Sequence, residues 1–316
     1  RWMAQEIDGA ERDAAAQTEL DTWPAQQQKL RAIELARRMS DMPFFGKILE
    51  ANTGRDPSTV APAPDVGLRE HPTQDMDVNP MEVPGQAVRP PAPGEKPPGR
   101  LVSAEQALAQ RTRSLVVVLD QMTVPRNASA VIRTAEALGL QEMHFIHAHG
   151  YLVPQRAVTK RCERWIDLRQ ADRAGTVLKG LRRRGYRILA ADFGPQSRPI
   201  DEVELTDHTA VVLGSEQEGV SDEVKEQVDG LFYIPTVGFT AYLNVSVAAA
   251  IALTTFDRRL REEDKRLPLD PDDLHRTRAR WYRGLARGRQ RSQGALLKWL
   301  HRPPSARGEH EMGGRS

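Results

Sequence analysis

Apolar residues along this chain gather into short uninterrupted runs separated by stretches of helical period, and that alternation starts only near residue 100. Ser114-Leu115-Val116-Val117-Val118-Leu119 is β-branched and has no polar break after its first residue, the pattern of a strand covered on both faces. Further strands are predicted at Glu142 to Ile146, Trp165 to Leu168, Tyr186 to Ala191, Ala210 to Leu213 and Leu231 to Ile234. Between them the pattern turns helical. One helix runs from about Ser103 to Gln110, one from Ala128 to Leu138 ended by Gly139, and one from Ala174 to Arg184 ended by Gly185. Ser221 can cap another to Val228, and Asn244 can cap a long alanine-rich helix to about Arg261. Strands alternating with helices predict an α/β domain with a mostly parallel sheet covered on both faces.

The flanks break this pattern. Within residues 1–56 one helix is predicted, Ala25 to Met39, with Leu30, Ile33, Leu35 and Met39 on an imperfect stripe and Pro43 beyond it. The apolar patch Met42 to Leu49 reads as part of a weakly ordered extension. Residues 57–99 hold eleven of the 22 prolines, a composition that cannot offset its own ordering entropy, so 57–100 is expected to be a disordered linker. The domain proper is expected at 101–265 and a basic helical extension at 266–316.

Charge changes the picture more than length does. Residues 1–100 carry 12 Lys and Arg against 16 Asp and Glu, residues 101–265 carry 21 against 22, and residues 266–316 carry 12 against 5. In the tail, Arg280, Arg283, Arg287 and Arg291 alternate with Trp281, Tyr282 and Trp299. Cations grip phosphates and aromatic faces stack on unpaired bases, so these four arginines are the candidate RNA-binding residues. The competing arrangement buries the aromatics against the domain. A single cysteine, Cys162, excludes an internal disulfide framework and fits a reducing, cytoplasmic compartment. No apolar run reaches the ~18–20 residues of a bilayer span and no signal-peptide core opens the chain, so no membrane partner is expected. His144, His147 and His149 lack the further ligands of a zinc site nearby, and no metal is expected.

Three segments carry chemistry together. The first is Asn127-Ala128-Ser129-Ala130-Val131-Ile132-Arg133-Thr134-Ala135-Glu136-Ala137-Leu138-Gly139. The second is Val211-Val212-Leu213-Gly214-Ser215-Glu216-Gln217-Glu218-Gly219-Val220, and the third runs from Pro235 to Leu253 through Leu243-Asn244-Val245-Ser246-Val247-Ala248-Ala249-Ala250. In this order and spacing, over roughly Leu101 to Arg261, they resemble the motif set of the SpoU-type (SPOUT) RNA ribose 2′-O-methyltransferases, most of all the branch that modifies a D-loop guanosine of tRNA. The resemblance implies a deep C-terminal trefoil knot in the sheet, a homodimer, S-adenosylmethionine as cofactor and RNA as substrate, tRNA before rRNA. It puts Arg133, Asn127, Glu216 and Asn244 in catalytic positions, and Ala191, Gly214, Ile234 and Leu243 around the adenosine, held largely by backbone groups.

An arginine is a poor base, because its guanidinium stays protonated far above neutral pH. Arg133 is therefore expected to grip a phosphate and stabilise a developing alkoxide. Asn127 and Asn244 stand where helix caps belong, and the missing side chain of Gly214 lets backbone approach a ligand. One departure stands out: Ala241-Tyr242 occupies the place where the family branch has Gln-Ser. A phenol there either supplies a hydroxyl from a new distance or obstructs the acceptor side. The second hypothesis is accordingly a catalytically weak RNA-binding protein on the same scaffold.

Overall fold

A computed structural model of the chain describes residues 68–70, 89–147, 152–215, 218–238, 242–286 and 295–306, all within the unit Asp65–Ser316. In chain order it contains β1 (Arg69–Glu70), α1 (Gly99–Leu108), β2 (Leu115–Asp120), α2 (Pro125–Ala137), β3 (Glu142–Ile146) and the single-turn α3 (Arg156–Thr159). A 3-10 turn, Cys162–Trp165, leads to β4 (Asp167–Ala171), α4 (Ala174–Arg183), β5 (Arg187–Ala191), β6 (Arg198–Pro199) and β7 (Thr209–Leu213). Then come α5 (Asp222–Lys225), β8 (Gly230–Tyr233), α6 (Val245–Glu262), α7 (Pro271–Ala286) and a second 3-10 turn, Lys298–Leu300. The expected helix Ala25 to Met39 and the patch Met42 to Leu49 lie outside the described residues.

The strands form one sheet in the order β1-β4-β3-β2-β7-β5-β8-β6. Seven of them pair in parallel, and β1 is an antiparallel edge on β4. The β-branched run of β2 sits at the centre, buried at every position, and its alternate side chains enter two different cores. Leu115, Val117 and Leu119 pack with α2 and α6; Val116 and Val118 pack with α4 and α5. The alanines of α6 explain its seat: Ala249 and Ala252 are fully buried between the sheet and α2, with Leu253, Phe256 and Leu260 continuing the stripe. Each such large side chain contributes about 1.5–3 kcal/mol by leaving water.

Strand β8 is hydrogen-bonded on one side to β5 and on the other to β6, two strands that follow one another in the chain. The connection from β6 to β7 then returns over the α6 side, where Ile200, Val203 and Leu205 join the α2–α6 core. Arg259 Nη1 donates to the Ile200 carbonyl at 3.1 Å and Lys265 Nζ to that of Leu205 at 2.8 Å.

Several expected boundaries move for identifiable reasons. Helix α1 begins at Gly99, directly after Pro98, rather than at Ser103. Helix α2 begins at Pro125, which presets a helical φ and has no N–H to satisfy, so Asn127 is inside the first turn and Val124 is the cap. Strand β4 starts two residues later than predicted, because Trp165 ends a 3-10 turn. Helix α5 closes after Lys225, short of the predicted Val228. Asn244 does cap α6, accepting from the Ser246 N–H at 2.9 Å.

Helices α1 and α7, with residues 295–300, build a third core from Leu101, Leu108, Tyr282, Leu296 and Trp299, and Trp165 packs against it. Trp165 and Trp281 meet edge to face at 5.4 Å.

Candidate active site

In a parallel sheet every strand ends at the same edge, and ligands bind in the crevice outside those carboxyl ends. Strands β7, β5 and β8 are consecutive in the sheet. Their ends bring together Gly214, Ala191 and Ile234, three residues distant in sequence. Ala191 lies opposite Phe232 in the β5–β8 register, two residues before Ile234. Ala191 and Ile234 are half-buried against the α2–α6 core, and Leu243 is half-buried just before α6.

Gly214 has a sharper requirement than ligand access. A Cβ placed on it would lie 2.0 Å from the carbonyl carbon and oxygen of Gly219, so the space beside it is filled by the chain itself. Ser215 and Gly219 exchange two backbone hydrogen bonds of 3.0 Å, and Gly219 has φ +68°. Residues 215 and 219 thus close on each other directly, and Glu216 and Gln217 lie outside the described residues. Beneath this closure sits Asp120, fully buried at the end of β2, whose Oδ2 accepts from the Ser221 N–H at 2.7 Å. Burial pushes this carboxyl above the usual range, opposed by the Ser221 bond. Ser221 makes no side-chain cap on α5; instead its own N–H is held by Asp120 at the end of the neighbouring strand β2.

Helices α2 and α6 cover one face together, each leaving the carboxyl edge of the sheet. Asn244 is exposed at the start of α6, and its Oδ1 also accepts from the Ser246 hydroxyl at 2.6 Å. Arg133 is exposed on the outer face of α2, and its Nη1 donates to the Val158 carbonyl at 3.3 Å. Asn127 stands six residues earlier, about 9 Å back along the axis and a third of a turn around, so the two occupy different faces of the helix. Cys162, near Arg133 and Glu136, has its thiol pushed up to about 12, chiefly by burial, and offers no nucleophile at neutral pH. Tyr242 is 75% exposed with its ring edge-on to Phe193 at 6.0 Å; Phe193, itself 54% exposed, leans on Tyr233 at 5.3 Å.

Residues 114–254 match the SpoU rRNA Methylase family. A tRNA (guanosine(18)-2′-O)-methyltransferase of Thermus thermophilus is 32% identical over 191 residues, covering 60% of this chain and 98% of the relative. The chain belongs to the SpoU family. The Escherichia coli K12 protein of the same name is 29% identical over 162 residues, or 51% of this chain and 71% of its own. The crystal structure of the A. aeolicus TrmH/SpoU tRNA modifying enzyme superposes with a TM-score of 0.55 at 30% identity, covering 58% of this chain and 94% of that one.

The tail of this SpoU chain departs from expectation. Arg280 turns inward to pair with Asp167, and Arg283 is half-buried, its guanidinium shifted down by burial. Trp281, Tyr282 and Trp299 are core residues, so the face expected to stack on bases is the packing face. The reason is a set of acidic partners elsewhere: Arg278 holds Glu105 through bonds of 2.8 and 3.0 Å, Tyr282 donates to the same carboxylate at 2.8 Å, and Lys298 pairs with Glu95. Arg287 and Arg291 lie outside the described residues. His144, considered above as a metal ligand, is fully buried with Nε2 2.6 Å from Glu142 Oε1. Among the described residues no group of three or more His, Cys, Asp or Glu is arranged to hold a metal, and no helix is long and apolar enough to cross a membrane.

One feature near Arg133 was not legible beforehand. Lys160 and Arg161 are consecutive non-glycine residues with φ of +52° and +71°. Such a conformation costs of order 1 kcal/mol or more for each residue. A Lys-Arg pair following Arg156 was visible in the sequence, but it has no period and no motif to mark it.

Proposed function

We propose that this chain transfers the methyl group of S-adenosylmethionine to a ribose 2′-hydroxyl of tRNA, at a D-loop guanosine, as the names of its Thermus and Escherichia relatives suggest. The observation that carries it is the meeting of Gly214, Ala191 and Ile234 at three neighbouring strand ends in a SpoU-family sheet. Half-buried apolar positions beside strand-end backbone suit a flat, uncharged adenine, which needs a surface to lie on and amide partners rather than a counter-charge. S-adenosylmethionine, when bound, supplies an electrophilic sulfonium methyl. The chain has to hold the acceptor in line with it and stabilise the oxyanion as its proton leaves.

Arg133 fills the second role. Its guanidinium is a permanent cation with five donors, able to hold the phosphate beside the acceptor and the developing alkoxide together. The proton then leaves to a phosphate oxygen or water. Asn127 and Asn244, each in the opening of a helix that leaves the carboxyl edge of the sheet, orient the substrate, and Glu216, the motif carboxylate, shapes the pocket. The insertion of β8 between β5 and β6, followed by α6 crossing back over the 192–208 connection, is read as the family's trefoil knot. The outward α6 residues Val247 and Ile251, one turn apart and exposed, are read as the seam of a homodimer.

The test is methyl transfer from labelled S-adenosylmethionine to an unmodified tRNA transcript, with the modified nucleotide mapped. Arg133→Ala should lower the rate by about 10²–10³. Equal product from that variant refutes the role given to Arg133, and product in rRNA alone moves the substrate. Cofactor binding without any transfer would favour the weakly catalytic RNA-binding protein.

A further inference from the structure

We propose that Arg156, Lys160 and Arg161, alongside Arg126 and Arg133, form the surface that receives the phosphate backbone of the RNA, resting on the reading of this chain as an RNA methyltransferase. All five are exposed. None pairs with a carboxylate among the described residues, whereas the tail cations Arg278, Arg280 and Lys298 are committed to Glu105, Asp167 and Glu95. Arg126 and Arg133 are seven residues apart on α2 and therefore share a face.

The short segment beginning at Gln155 is fastened along that helix at two points. The Gln155 N–H donates to Ser129 Oγ at 2.8 Å, and Arg133 reaches the Val158 carbonyl. Arg156 opens α3, and Lys160 and Arg161 follow it, so both ends of the segment present cations beside Arg133. The backbone conformation sharpens the case. At two successive left-handed positions a glycine would relieve the strain, yet the chain carries two long cations there. A merely solvated face has no need of that arrangement. A ladder of phosphates supplies the spaced negative charge that five unneutralised cations lack.

The experiment measures the affinity of full-length protein for an unmodified tRNA transcript by filter binding from 50 to 200 mM KCl. Lys160→Gly/Arg161→Gly, alone and with Arg156→Ala, should hold or raise Tm, because strain is released. The same variants should weaken binding by on the order of 10–100-fold and flatten the salt slope by about 2–3. Should the glycine variants lose their fold, Lys160→Gln/Arg161→Gln keeps a polar, flexible side chain without charge and must show the same weakening. Unchanged affinity and slope in folded variants overturns the proposal. Polyglutamate that competes as well as RNA of equal charge overturns the assignment to RNA. A wild-type protein that methylates tRNA while its variants bind normally sinks the surface and spares the enzyme. A wild type that binds steeply but transfers no methyl does the reverse.

Discussion

Arg113 Nε donates to Asp273 Oδ2 at 2.7 Å, tying the residue just ahead of the central strands to the first turn of α7, 160 positions later in the chain. The same guanidinium also holds Asp167 at 2.5 Å and pairs with the fully buried Glu142. Burial alone would raise the Asp273 carboxyl, but Arg276 and Arg113 hold it below the usual range. Its folded value therefore lies under the unfolded one of ~3.9, so its contribution is complete above about pH 4 and drains away as pH falls through the folded value.

Asp273→Asn should accordingly cost about 1–2 kcal/mol at pH 7 and next to nothing in strong acid. Thermal unfolding of both proteins from pH 7 to 3 checks this. A difference in Tm that does not shrink on acidification would disprove it. Tryptophan emission gives a second readout, because Trp165, Trp281 and Trp299 all lie where α7 docks.

Removing the Asp120 carboxyl should loosen the hairpin above it. Asp120→Ala strands the Ser221 N–H, at a cost of about 1–3 kcal/mol, and should weaken S-adenosylmethionine binding through the 214–221 turn. Asp120→Asn keeps an acceptor for that N–H and should come close to wild type. Calorimetric titration with the cofactor decides. Equal affinity in the alanine protein would mean the turn holds its shape unaided.

Gly214→Ala tests the close approach directly. With Gly219 backbone 2.0 Å from the new methyl, the turn must rearrange, and a loss beyond about 4 kcal/mol with no measurable cofactor binding is expected. Gly175→Ala is the matched control, since its nearest neighbour would be Glu223 Oε1 at an ordinary 3.6 Å and it lies in α4. That substitution should leave the protein as stable or gain up to about 1 kcal/mol from helix propensity. Comparable Tm for the two variants would contradict the structure of the hairpin.

The sheet was largely readable from the sequence because long-range order there follows local pattern. The β-branched run of β2, the glycines closing α2 and α4, and the Asn244 cap all act within a few residues of themselves. What escaped was decided by distant partners or by lack of length. Strands β1 and β6 are two polar or proline-containing residues each, too short for any period. Arg280 and Tyr282 have the residue types of an RNA face, but Asp167 and Glu105, more than a hundred residues away, claim them. Asn127 has a capping side chain, but Pro125, whose ring presets a helical φ, opens α2 two residues before it. At the candidate site the motif residues could be named but not arranged. Only the strand order reveals that positions 191, 214 and 234 are neighbours.

Strand β8 sits between two strands that are adjacent in the chain, so β5 and β6 do not pair with each other and are joined in the sheet only through it. Four residues near the C-terminal end of the domain, 230–233, therefore hold an earlier strand in place. A chain trimmed before Gly230 would leave β5 as the sheet's edge and β6 with no neighbour to pair with.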